Sequence, residues 1–228
     1  MDEYFAMNKL WKPLALTAAL IMSGGTAMAT QTPDYTVIGK SGDVEYRQYT
    51  PYVIAETRIP GDWSANRAGN EGFRRLVSYI SGNNEARGKI AMTAPVAQSR
   101  GEKIAMTAPV SQATSGEDWV VHFIMPPGAS LDELPQPRDP RIELKQVPAR
   151  VVAALRYSGS WSERRYQAQE QRLLASLNAA EVEALSAPEF ARYNAPFVPT
   201  FFRRNEILVT IDRVPESVAE GWQVALAR

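Results

Sequence analysis

The stretch Val44–Ser64, VEYRQYTPYVIAETRIPGDWS, returns 98 residues later as Ile142–Ser162, IELKQVPARVVAALRYSGSWS. Eight of the 21 aligned positions are identical without a gap: Glu45/Glu143, Gln48/Gln146, Val53/Val151, Ala55/Ala153, Arg58/Arg156, Gly61/Gly159, Trp63/Trp161 and Ser64/Ser162. In each copy, one run of alternating apolar and polar residues follows another, which predicts two strands joined by a turn. Arg74/Arg172 and Leu76/Leu174 carry the match onward, where the period becomes helical. The chain therefore reads as an internal duplication.

Outward from these copies the halves complete themselves. Phe73, Leu76, Val77 and Ile80 fall at helical spacing between Trp63 and Ser81, and Gly82-Asn83-Asn84 follows as a stop. Gly69 and Gly72 weaken the front of that helix. WVVHFIM (Trp119–Met125) is a strand closed by Pro126-Pro127-Gly128. Residues 126–141 hold five of the sixteen prolines and read as an ordered surface loop. In the second half SWSE (Ser160–Glu163) is a capping-box signature, and Tyr166, Leu173, Leu174 and Leu177 form the apolar side of the helix it opens. AAEVEALS (Ala179–Ser186) extends or follows that helix, and NEILVTI (Asn205–Ile211) is the last strand.

Each half is thus strand–strand–helix–strand–strand, with a sheet face that must be covered. A half of about 95 residues is small for independent stability. The expected fold is α+β. Two antiparallel half-sheets join side by side or curl into a distorted barrel, two main helices flank it, and a ligand groove lies between the halves. The duplicated segments span about residues 35–127 and 140–212 of a domain covering 30–212, with a tail at 213–228. Val218, Trp222, Ala225 and Leu226 in that tail fall on one helical stripe.

Composition removes whole classes of chemistry. Cysteine is absent and His122 is the single histidine, so thiolate nucleophiles, disulfides and His-rich metal sites are excluded. Lys+Arg and Asp+Glu both number 25, which gives no global field to attract nucleic acid. No nucleophile elbow, phosphate loop, dinucleotide fingerprint or zincin motif is present. The N-terminus has Lys9 and Lys12, the apolar run Leu14–Met22 and an A-x-A exit at Ala29, the pattern of a cleaved signal peptide over residues 1–29. Its acidic first residues point to Met7 as the true start. Export to the periplasm or medium follows, with no stable membrane anchor after cleavage.

Between the first helix and the Trp119 strand, KIAMTAPV occurs twice, at Lys89–Val96 and Lys103–Val110. Each copy alternates and ends at a proline, so each is expected to be a short strand, the pair forming a hairpin. If Val96 pairs with Lys103, Met92 faces Thr107, and Met92 and Met106 point to opposite sides unless a bulge intervenes. Their sulfurs are soft ligands for haem iron or, more commonly on strands, adaptable core filler. His122 sits on a strand as a rim or core residue, or as an axial ligand. Near the end, YNAPFVPTFFRRNEILVTI gathers Phe197, Phe201 and Phe202 before Arg203 and Arg204. This is either a grip for a flat apolar ligand carrying carboxylates, or a loop anchored by its aromatics with arginine paired to Glu206.

The doubled KIAMTAPV and the YNAPFVPTFFRRNEILVTI segment closely resemble the SOUL, or haem-binding protein, family, in its bacterial form. The resemblance covers Tyr35 to Asp212. It implies a duplicated α+β body and non-catalytic binding of haem, b-type and non-covalent, or of a related tetrapyrrole in an apolar groove. The matching groove positions are the helix face at Phe73, Val77 and Ile80 and the loop Phe197–Phe202. Arg203 or Arg204 would meet the propionates, and His122, Met92 or Met106 would offer a weak axial ligand. The other classes open to this sequence are a module for a different flat or amphipathic molecule, or a hydrolase or haem-modifying enzyme using groove carboxylates.

Overall fold

In a computed structural model, the structure describes residues 32–85 and 101–219. The expected signal peptide, the first KIAMTAPV copy with Met92, and the tail beyond Ala219 lie outside the described residues.

Alternation places the strands where the sequence predicts them. Strand β1 (Tyr35–Ser41) leads into β2 (Val44–Tyr49) and β3 (Tyr52–Ile59), then helix α1 (Ala65–Ile80) and a two-residue β4 (Asn84–Glu85). After the second KIAMTAPV come β5 (Val110–Ser115), β6 (Asp118–Ile124) and a short β7 (Gln136–Pro137). The second half supplies β8 (Ile142–Val147), β9 (Arg150–Tyr157), α2 (Glu163–Ala179), β10 (Glu189–Arg192) and β11 (Asn205–Thr210).

Nine strands form one antiparallel sheet in the order β1-β2-β9-β11-β10-β5-β6-β3-β8, while β4 and β7 pair separately. Its ends, β1 and β8, do not pair, so the expected barrel is a curled half-barrel. Matched at the 98-residue offset, β2 corresponds to β8 and β3 to β9. With β5 set against β10 and β6 against β11, the order from β2 to β8 reads the same from either end. The middle is the β5–β10 pair, and each segment's first strand lies beside the other segment's second: β2 on β9, β8 on β3.

Both helices cover the same face. Leu76, Tyr79 and Ile80 of α1 pack with Ala55, Val121 and Phe123, and Leu173 and Leu177 of α2 pack with Tyr46, Leu155 and Ile207. The glycines that weaken α1 as an isolated helix let it lie close to the sheet: a Cβ on Gly72 would meet Val121 at 2.4 Å, and one on Gly69 would meet Gln112 Oε1 at 2.3 Å. Among the described residues the opposite face carries no helix, yet Tyr49, Val152, Ala154, Ala191 and Leu208 are buried there as the sheet curls over them.

Local expectations fail in three places. The second KIAMTAPV forms no strand over 103–106; Ile104 N–H donates to the Ile80 carbonyl at 2.8 Å, and Pro109, after a cis bond, precedes β5 rather than ending a strand. The segment's first half is tied to the end of α1 through Ile104, while Thr107 forms a bridge and Val110 enters β5. Residues 180–186 do not continue α2, because Glu181 turns left-handed at φ 54° and Ala184 bridges to Ile211. Ser162, not Ser160, caps α2, and its side chain makes no capping bond. Val218 is buried against the α2 core, so the start of the tail docks on the body.

Candidate binding groove

Where β5 and β10 meet, at the middle of the sheet, the helix face is left open between α1 and the start of α2. Val110 pairs with Arg192 in register, and both point to that face. Phe73 of α1, Met106 and Ala108 form one wall, and Trp161 with the Tyr193–Pro196 loop forms the other. The groove encloses about 240 Å³ and is mostly apolar. That volume is below the roughly 300–1,000 Å³ of pockets that swallow a drug-sized ligand, so a large flat molecule would be held by part of one face.

Phe73 is 37% exposed although its ring sits edge-on to the buried Phe123 at 5.5 Å, and Met106 is 47% exposed. Two large apolar side chains at one concave surface are the expected mark of a binding site. The cation of the groove is Arg192. Its guanidinium lies 4.8 Å from the Trp161 ring and 4.7 Å from the Phe190 ring, and one Nη donates to Asn66 Oδ1 at 3.0 Å. Among the described residues no carboxylate reaches it, and its buried Nε has no hydrogen-bond acceptor. Burial and the neighbouring Arg203 push its pKa down to about 10, still cationic at neutral pH.

The structure brings together only some of the residues picked from sequence. Phe73 and Met106 share the groove. Val77 is half-buried against the α1 core, and Ile80 lies within that core. Phe197, Phe201 and Phe202 do not enter the groove: they point outward at 87%, 68% and 72% exposure, so the loop is not anchored by its aromatics. Arg204 is committed to Glu206 at 2.8 Å, as in the pairing alternative, and Arg203 donates to the carbonyls of Val198 and Pro196 while covering Trp161 at 4.2 Å. Arg192, Trp161 and Tyr193–Pro196 were missed. The usable signal was position: Arg192 ends a strand at the sheet centre, but β10 is four residues long and its alternation is invisible.

His122 is not in the groove. Val121 and Phe123 face α1, so His122 points to the opposite face, where its Nε2 lies 3.9 Å from Glu189 Oε2. Burial lowers its pKa, with Arg150 adding to the effect and Glu189 and Glu56 opposing it. Among the described residues no group of three His, Cys, Asp or Glu side chains is placed to hold a metal ion. His122 is not among the residues that line the groove. An iron in the groove would find the Met106 thioether as the one soft donor there among the described residues.

The model of the SOUL heme-binding protein family matches residues 30–210, and the chain belongs to that family. A search of curated proteins finds no significant match. Solved structures of similar shape include the C-terminal domain of EcmrR, 12% identical, covering 79% of this chain and 99% of that one with a TM-score of 0.46. A hydrolase from Listeria innocua is 10% identical over 75% of this chain and 92% of its own, at 0.45. A transcription regulation protein from Staphylococcus aureus MU50 is 8% identical over 80% and 100%, at 0.42. Likenesses this loose do not bear on function.

Proposed function

We propose that the chain binds haem or a related propionate-bearing tetrapyrrole in the β5–β10 groove, without catalysing a reaction on it, as a carrier or buffer outside the cytoplasm. The observation that carries this is Arg192: a half-buried guanidinium in an apolar groove, with no carboxylate partner among the described residues. A ligand propionate would supply the missing charge in a charge-assisted hydrogen bond on the order of 2 kcal/mol. Phe73, Met106, Ala108 and Pro196 would cover part of the macrocycle at ~25 cal/mol per Å², before ordering costs. Bound iron would bring redox and axial-ligand chemistry, with the Met106 sulfur in reach of the groove. Export rests on the leader pattern at residues 1–29.

Hemin titration of the purified protein is the test. A saturable Soret shift at micromolar hemin is expected, weakened about thirtyfold by Arg192→Gln, in line with the charge-assisted bond, and further by Phe73→Ser. A shift no larger than nonspecific uptake, or one indifferent to both substitutions, overturns the reading.

A further inference from the structure

On the opposite face of the sheet, at the β1–β2 end, a second and larger concavity of about 790 Å³ opens between Tyr35, Arg47, Arg156, Phe201, Phe202 and Arg204. We propose that this cleft is a separate binding site for an aromatic anion, a small ring system bearing a carboxylate or phosphate.

The charge arrangement argues for the anion. Glu206 stands opposite Arg156 in register across β9 and β11. Yet Arg47 binds Glu206 through two hydrogen bonds of 2.7 and 3.0 Å, Arg204 through two more, and the Tyr193 hydroxyl through another. The carboxylate is fully used, and Arg156, exposed on the cleft wall, has no hydrogen bond or ion pair among the described residues. The two carboxylates on the wall are likewise taken: Glu45 by Lys40 and Arg47, Asp43 by Arg172. Arg156 thus faces, with neither hydrogen-bond nor ion-pair partner among the described residues, a concavity whose carboxylates are already engaged.

The ring preference comes from the other wall. Phe201 and Phe202 lie on a single 3-10 turn with centroids 4.4 Å apart, uncovered by any of the described residues. Tyr35 and Tyr157 line the same space. An aromatic ring laid on the phenylalanine pair would be offset-stacked or edge-on, worth about 1 kcal/mol beyond its buried area. A planar fork such as Arg156 suits a carboxylate or phosphate in two-point contact. The cleft volume lies within the roughly 300–1,000 Å³ of small-molecule sites.

This site does not depend on the groove reading, because the two lie on opposite faces of the sheet. Calorimetric titration of the full chain with 2-naphthoate, 1-naphthyl phosphate and the neutral 2-naphthalenemethanol tests it. At least one anion is expected to bind at least tenfold tighter than the alcohol, and the stronger of the two tells carboxylate from phosphate. Arg156→Gln, at an exposed position, should remove that difference while leaving the melting temperature unchanged. A Phe201→Ser, Phe202→Ser double variant should weaken all three ligands, and Phe73→Ser should change none. Equal affinity for alcohol and anions, no binding at millimolar ligand, indifference to Arg156→Gln, or loss in Phe73→Ser each overturns the proposal.

Discussion

Arg47 and Glu206, 159 residues apart in sequence, face each other through paired hydrogen bonds with their side chains 3% and 0% exposed. They join β2 to β11 over the intervening β9. Burial by itself raises the Glu206 carboxyl, but the Arg47 and Tyr193 hydrogen bonds and the nearby guanidinium charges prevail and hold it below the ordinary range.

Glu206 also serves Arg204 and Tyr193, so its loss strands more groups than the loss of Arg47. Urea unfolding should show Arg47→Met costing about 3 kcal/mol and Glu206→Leu about 5, because a buried charge left without its partner is the expensive state. The double variant should be more stable than Glu206→Leu alone. Equal costs for the two single variants would contradict the network.

Glu206 also fixes a sign for acid behaviour. A carboxyl depressed in the folded state stabilises fully above its unfolded pKa, about 4.3, and that contribution drains away as pH falls through the lower folded value. Stability of the wild type should decline below about pH 4.3 more steeply than that of Glu206→Gln. Parallel melting curves between pH 6 and pH 3, run on both proteins, decide it.

His122 titrates in the same direction for another reason. Its imidazole is depressed mainly by burial, so its contribution is whole above about pH 6.5 and is lost as pH falls toward the lower folded value. As the single histidine, it gives unambiguous ring signals in a proton NMR titration, which should titrate at lower pH in the folded protein than in the unfolded chain. Hemin uptake by His122→Gln should match wild type, since the side chain lies on the face away from the groove. A shifted Soret band in that variant would return His122 to the binding site.

Gly69 and Gly72 offer a test of packing against propensity. Alanine gains about 1 kcal/mol over glycine inside a helix. Here its Cβ would press on Val121 or Gln112, and overpacking costs about 1–3 kcal/mol. Gly72→Ala should therefore destabilise the protein, because Val121 is β-branched and buried. Gly69→Ala should cost less, since Gln112 can turn its amide aside. Thermal melts of the two variants rank them directly.

The sequence was most readable where one residue type repeats with a fixed period. β2, β3, β8 and β9 stand at the bounds their alternation predicts, and α1 and α2 within two residues of theirs. β1, β10 and most of β5 were not read, being short, polar or entered through proline. KIAMTAPV alternates as a strand does but docks on α1, since nothing in eight residues says what lies alongside. The groove was half legible: Phe73 and Met106 are apolar at conspicuous places. Arg192 was hidden because its meaning lies in what it lacks, a carboxylate, and that shows only once the fold has given partners to Arg203 and Arg204.

The exchange of first strands sets a timetable for synthesis. When β3, α1, β5 and β6 have left the ribosome, β2 still lacks the β9 edge, which it meets in the pairing of Val44 with Leu155, and β3 lacks β8. At roughly 5–20 residues per second, the nascent chain carries unpaired strand edges for seconds before either can close. Closure comes late: residues 142–157 supply β8 for β3 and β9 for β2, and the free edges of β5 and β9 wait for β10 and β11. A chain interrupted before those strands holds open edges on β2, β3 and β5 rather than one finished half, a form suited to chaperone capture.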